Sequence, residues 1–115
     1  MSKMEVDRNG NKIWRNSKGM AHREDGPALE YASGSKTWYI DGNLHREDGP
    51  ASEHSDGEKN WYINGRLHRV DGPAVEDSMG KKTWFLYGNQ YSFDDWLGQL
   101  QVSDEEKVML CLIWK

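Results

Sequence analysis

The chain has 115 residues, about the length of one domain, so we expect a single domain over residues 1–115. Its net charge of −4 argues against a nucleic-acid-binding protein with a basic surface. The longest apolar run, residues 108–114, is much shorter than the roughly 20 residues of a membrane-spanning helix, and the polar start shows no apolar leader sequence. These features predict a cytosolic protein with no membrane partner and leave no room for a second catalytic domain.

A repeat of 23 residues fills most of the chain. Three full units align without a gap over residues 22–44, 45–67 and 68–90. Residues 10–21 form a partial unit that is one residue out of phase with the others. Because units of a repeat protein pack on their neighbours, this pattern predicts an extended array of similar elements.

Each unit contains the signals for three short β-strands separated by turns. Asp-Gly-Pro is turn material, and the proline belongs at the start of a strand, which predicts a first strand from Ala28 to Ala32. A second strand from Lys36 to Ile40 is rich in strand-forming residues, and a third, from Leu44 to Arg46, follows the turn pair Asp41-Gly42. Equivalent strands are expected 23 and 46 residues further along the chain.

The second strand of each unit carries a tryptophan. Stacking the units would align these tryptophans along one axis, and each large aromatic side chain can bury about 150–250 Å². The predicted core is therefore a ladder formed by Trp14, Trp38, Trp61 and Trp84.

Residues 92–115 break the repeat and predict a helical cap. Ser92 and Ser103 are each followed three residues later by an acidic residue, a pattern typical of helix N-termini. Two helices are expected, near residues 93–100 and 104–114. Because the second is apolar almost all round, we expect it to be buried, either against the end of the sheet or in a homodimer formed through residues 104–114.

The predicted fold class is mainly β, an antiparallel hairpin-repeat sheet of 23-residue units with a short C-terminal α-helical cap. The pattern W-Y-x-x-G-x-x-H-R-x-D-G-P-A, present from Trp38 to Ala51 and from Trp61 to Ala74, resembles the MORN-like β-hairpin repeats of small bacteriophage and giant-virus proteins. The resemblance implies a viral protein of the bacteriophage type that acts in the host cell cytosol. It supplies no catalytic residues, and small phage proteins of this kind often act by binding.

The repeated His-Arg-x-Asp string contains residue types that move protons and hold ions. Its histidines, however, should lie roughly 10–14 Å apart across the strands, since neighbouring strands are about 4.8 Å apart, and so they cannot share one metal ion. No serine or cysteine nucleophile recurs beside them. We therefore expect no catalytic residue, metal or cofactor, and a structural role for the string: aspartate shapes the turn, arginine pairs with carboxylates, and histidine bonds to the backbone.

Two sets of residues are candidates for binding. The repeated Arg23, Arg46 and Arg69 form a cationic row that suits phosphate groups, although neighbouring carboxylates are expected to neutralise it. The second set stands where the three units differ, as a surface facing a partner would: Tyr31, His54 and Arg66.

Three functions remain open at this point. The favoured one is a non-enzymatic phage-type protein that binds a host protein, such as a defence or regulatory factor, and blocks it sterically. A row of free arginines would favour a sponge that sequesters a nucleotide signalling molecule. The third alternative is a structural component of the virion or its scaffold.

Overall fold

The computed structural model describes residues 2–115, which form thirteen short strands followed by two helices. The elements are β1 (Lys3–Val6), β2 (Lys12–Arg15), β3 (Leu29–Glu30), β4 (Lys36–Thr37), β5 (Tyr39–Ile40), β6 (Asn43–Leu44), β7 (Ser52–Glu53), β8 (Lys59–Asn60), β9 (Tyr62–Ile63), β10 (Arg66–Leu67), β11 (Val75–Glu76), β12 (Lys82–Leu86), β13 (Asn89–Tyr91), α1 (Phe93–Gln99) and α2 (Asp104–Trp114). Neither helix in this part of the chain is long and apolar enough to span a bilayer.

Nine of the strands form one antiparallel sheet in the order β1-β2-β3-β4-β7-β8-β11-β12-β13. The remaining four form two separate hairpins, β5 with β6 and β9 with β10. The predicted fold class, mainly β and built from antiparallel hairpins with a C-terminal helical cap, is confirmed.

The expected continuous strand from Lys36 to Ile40 is wrong, because the chain leaves the large sheet at Trp38. The backbone amide of Trp38 donates to the carbonyl of Ala51, and its carbonyl accepts from the amide of His45. These bonds separate β4 in the nine-stranded sheet from β5 in the first hairpin. The same division occurs at Trp61, whereas β12 runs unbroken through Trp84, where no further Asp-Gly-Pro-Ala loop follows.

The strands are also shorter than expected from the sequence. The strand predicted from Ala28 to Ala32 is reduced to Leu29–Glu30, because Tyr31 already begins the next turn by donating its amide to the carbonyl of Ser35. The strand predicted from Leu44 to Arg46 is observed as Asn43–Leu44.

The tryptophan ladder does not form a continuous core, and that prediction is wrong. Three of the tryptophans are half-buried, and each is covered by an arginine instead of another ring: the guanidinium carbon lies 3.9 Å from the ring centroid for Arg23 on Trp14, 3.9 Å for Arg46 on Trp38 and 3.8 Å for Arg69 on Trp61. The hydrophobic core lies instead at the C-terminal end of the sheet, where Trp84 and Leu86 pack against helix residues Trp96 and Leu100.

One face of the sheet carries a row of alternating charges. The strand registers place lysine opposite glutamate at six successive pairings across seven strands. The row reads Lys12, Glu30, Lys36, Glu53, Lys59, Glu76 and Lys82. Opposite charges on directly paired residues favour this register over its neighbours.

The helical cap begins as the sequence predicts. The hydroxyl of Ser92 accepts from the amide of Asp95, and that of Ser103 accepts from the amide of Glu106, so both serines are N-caps. Trp96 of α1 is fully buried and donates its indole N–H to the carbonyl of Arg69 at 2.9 Å.

The expectation that α2 is buried is wrong within one chain. The helix contacts the body through one side only, which includes the half-buried Leu110 and Trp114. Four apolar residues on the other side are 56–75% exposed, and we call them the outer face of α2: Val108, Met109, Leu112 and Ile113.

Candidate functional site

The arginine and histidine of the repeated string make the same contacts in all three units. Each arginine donates its Nε–H to the aspartate two residues later, at 2.9 Å for Arg23, 2.9 Å for Arg46 and 2.8 Å for Arg69. Each also donates from Nη1 to a proline carbonyl and to a glutamate of the next strand. These contacts give the arginines the structural role that the sequence indicates.

The repeated histidines hold the hairpin turns. The Nδ1 atom of His68 accepts from the amide of Tyr87 at 3.0 Å, and His22 and His45 accept in the same way from residues 41 and 64. Tyr87 has a φ of 50°, in the left-handed region that disfavours bulky side chains. A fixed acceptor at this amide helps to hold the strained turn.

Two cavities lie between the arginine-bearing loops. Arg23 and Arg46 line a cavity of about 630 Å³, and Arg46 and Arg69 line the next, of about 420 Å³. The larger one is lined by two arginines and four carboxylates, and the carboxylates are all strongly exposed: Glu24, Asp25, Glu47 and Asp48. The hydrogen bond from Arg23 also lowers the pKa of Asp25. The arginine row is therefore neutralised by its neighbours and does not present free cations to an anion.

A different row crosses the opposite face of the sheet. It begins with two apolar residues and is polar in the middle, and it reads Ile13, Leu29, Thr37, Ser52, Asn60, Val75 and Thr83. Ser52 and Asn60 are buried. The hydroxyl oxygen of Thr37 is enclosed and has no hydrogen-bond partner among residues 2–115.

Thr37 lies in the wall of a shallow cavity of about 240 Å³, which is also lined by Tyr31, Ser35, Ser52 and His54. The structure thus brings together two of the residues that the sequence singles out, Tyr31 and His54, and both are exposed at this cavity. We call it the Tyr31–His54 cavity.

The third residue of that set, Arg66, is elsewhere. It lies on β10, in a hairpin outside the nine-stranded sheet, and it is exposed. Among residues 2–115 it forms no ion pair within 4.0 Å, and it does not line the Tyr31–His54 cavity.

Ser52, His54 and Glu58 are the residue types of a nucleophilic triad, but their geometry differs from one. The hydroxyl of Ser52 lies 3.1 Å from Nε2 of His54, and the carboxylate of Glu58 lies 3.5 Å from the same nitrogen. In a triad the acid and the nucleophile contact opposite ring nitrogens, so that the histidine can be oriented by one and accept a proton from the other. The two contacts orient the ring of His54 at the cavity.

The sequence does not indicate that Thr37 lines this cavity. Thr37 is not unusual at the sequence level, and its position in the cavity wall comes from the register that pairs it with Ser52. Strand alternation was the available signal, since residues 35 and 37 share one face, as do residues 52 and 54.

No family model, curated protein or solved structure matches the chain.

Proposed function

We propose that the chain is a non-enzymatic binding protein, of the phage type that its repeat resembles, and that it attaches to a host protein and blocks one of that protein's surfaces. The observation that carries this proposal is the Tyr31–His54 cavity, at which two exposed residues that differ between the repeat units lie together.

The size of the cavity favours a protein as the ligand. Small-molecule sites have volumes of about 300–1,000 Å³ and enclose most of their ligand. The Tyr31–His54 cavity, at about 240 Å³, is smaller and has room for one protruding side chain. A polar group on that side chain would hydrogen-bond to the hydroxyl of Tyr31, which is exposed at the rim of the cavity.

The rim of the cavity has the chemistry of a protein interface. Tyr31 and His54 combine an apolar ring with a polar atom, and both lose little conformational entropy on binding because each has only two side-chain torsions. His54 is also held by Ser52 and Glu58, so its ring is oriented before a partner arrives. Tyrosine is among the residues that contribute most to protein interfaces.

The nucleotide-sponge alternative has less support. It requires free cations, whereas each of Arg23, Arg46 and Arg69 already donates to two carboxylates. A phosphate entering the larger cavity between the loops would also meet four exposed carboxylates. No contact in the described part of the chain favours a virion component over a soluble blocker.

The test is an affinity capture from a lysate of the natural host, with three versions of the tagged full chain. We expect the unchanged chain to retain one stoichiometric host protein. The double variant Tyr31→Ala/His54→Ala should lose at least about 90% of it, since each tenfold loss corresponds to only about 1.4 kcal/mol. Met79→Ala is the matched control, because it removes a residue that is 90% exposed on a turn outside the cavity.

Two results would contradict the proposal. One is an empty eluate from a chain shown to be folded by circular dichroism. The other is a captured protein that the double variant retains as well as the unchanged chain does. A thermal-shift screen of cyclic nucleotides would then examine the sponge alternative, since a ligand that binds only the folded state raises its melting temperature.

A further inference from the structure

The outer face of α2 is the largest group of exposed apolar side chains that lie together on one element of the described chain. Its members are 58%, 56%, 75% and 62% exposed for Val108, Met109, Leu112 and Ile113. Because a helix has 3.6 residues per turn, positions 108, 109, 112 and 113 form one continuous stripe along its surface. The opposite side of the helix, with Leu110 and Trp114, already contacts the body.

We propose that this face pairs with the same face of a second copy of the chain, through two antiparallel α2 helices related by a two-fold axis. This pairing is separate from the Tyr31–His54 cavity and does not depend on the function proposed for it.

The order of the residues favours a second copy because the stripe is symmetric about one point. A two-fold axis between Leu110 and Cys111 brings Val108 level with Ile113 of the second copy, and Met109 level with Leu112 of the second copy. An isologous contact requires this self-complementarity, in which residue i meets residue j and residue j meets residue i.

The charges at the ends of α2 agree with an antiparallel arrangement. The first turn contains three acidic residues, Asp104, Glu105 and Glu106, whereas the last turn, which ends at Trp114, contains no basic residue, and Lys115 beyond it is paired with Asp94 at 3.0 Å. Antiparallel pairing keeps the two acidic turns at opposite ends of the helix pair, and it also opposes the two helix dipoles favourably. A parallel pair would bring the two acidic turns together.

The size of the face places the pairing below the standard class of protein interfaces. Four side chains exposed to this degree present roughly 400 Å² per chain, about half of the roughly 800 Å² that each partner contributes to a standard interface. We therefore expect a reversible dimer that dissociates on dilution.

The experiment is sedimentation equilibrium of the full chain over roughly 5 to 500 µM, the range in which an interface of this size is expected to associate. The average mass should rise from 13.3 kDa towards twice that value. Leu112→Asp and Met109→Asp should each keep the chain at the mass of one copy throughout this range. Both residues are exposed in the single chain, so neither change should affect folding, which circular dichroism would verify.

Met79→Asp introduces the same charge at an exposed turn and should dimerise like the unchanged chain. A mass of 13.3 kDa at every concentration would overturn the proposal. The outer face of α2 would then be a contact site for a different protein. Dimerisation that survives both α2 variants would overturn it, and so would growth beyond two copies, which a two-fold contact does not allow.

Discussion

The guanidinium carbon of Arg46 lies 3.9 Å from the centroid of the Trp38 ring. The same side chain donates to the carboxylates of Asp48 and Glu53 and to the carbonyl of Pro50. One arginine therefore joins the tryptophan of one unit to the turn and first strand of the next. The units are held together by these repeated mixed contacts, and a continuous apolar core is not needed between them.

At the end of the array, aromatic rings take the place of the arginine. The residue 23 positions after Arg69 is Ser92, the N-cap of α1. Trp84 is instead covered by rings of the cap, with centroid distances of 4.6 Å to Trp96, 4.9 Å to Phe93 and 5.9 Å to Trp114. The cap thus closes the array with the apolar surface that an arginine cannot supply.

Replacing Arg46 tests how strongly adjacent units depend on this contact. We expect Arg46→Ala to lower the free energy of unfolding by about 2–3 kcal/mol, mainly through the lost bond to Glu53 and the lost stacking on Trp38. The pair with Asp48 should contribute little, because that carboxylate is 88% exposed. Arg46→Lys should recover less than half of the loss, since lysine has neither the planar fork nor the stacking surface. Urea denaturation measures the changes, and Arg66→Ala, at an exposed arginine, should have almost no effect.

The sequence is most informative where a local rule fixes the backbone. The turn at Asn64-Gly65 follows from the positive φ values that these residue types tolerate, and the helix starts follow from serine caps such as Ser92. The break at Trp38 could not be predicted, because it depends on a backbone bond to Ala51 in the next unit. The place of Thr37 in the cavity wall could not be predicted for the same reason, since it depends on the register that pairs Thr37 with Ser52.

The alternating charge row predicts that Lys59 specifies the register of the sheet. It is paired with Glu53 on one side and Glu76 on the other. Lys59→Glu would place three acidic residues side by side, and we expect it to lower the free energy of unfolding by about 1–2 kcal/mol. The loss should shrink in 1 M salt, where the screening length falls to about 3 Å. Lys59→Gln, which removes the charge without reversing it, should cost less, and a salt-independent loss would show that repulsion is not the cause.

Burial lowers the pKa of His68 below its ordinary value of 6.5. The unfolded chain therefore takes up the proton first as the pH falls, so His68 reduces the free energy of unfolding progressively below about pH 6.5 and has no such effect at pH 8. Protonation would also remove the acceptor that Nδ1 offers to the amide of Tyr87. We expect His68→Asn, which keeps an acceptor near this position, to lose less stability than the unchanged chain between pH 7 and pH 5. Urea denaturation at several pH values measures the free energy of unfolding of both proteins. If it fell equally with pH in the two, the pH dependence would not come from His68.

Gly72 marks the place where α2 meets the array. A Cβ atom at Gly72 would lie 2.6 Å from Cζ of Arg69 and 2.7 Å from Cζ2 of Trp114, whereas at Gly26 it would approach only Arg23, at 2.9 Å. Gly72→Ala must therefore displace two packed side chains, and we expect it to cost about 2–3 kcal/mol, against about 1 kcal/mol for Gly26→Ala.

The displacement at Gly72 should loosen α2 in particular, because Trp114 donates its indole N–H to the carbonyl of Asp71 at 3.0 Å. Hydrogen exchange of the α2 amides should accelerate in Gly72→Ala and stay unchanged in Gly26→Ala, while urea denaturation gives the two free energies. Gly98→Ala is a control that should raise the free energy of unfolding. A Cβ at Gly98 meets no atom within 4 Å, and alanine favours the helix over glycine by roughly 1 kcal/mol. Two results together would show that Trp114 is not the contact that holds the cap on the sheet. They are an equal loss in the free energy of unfolding for Gly72→Ala and Gly26→Ala, and unchanged hydrogen exchange of the α2 amides in both.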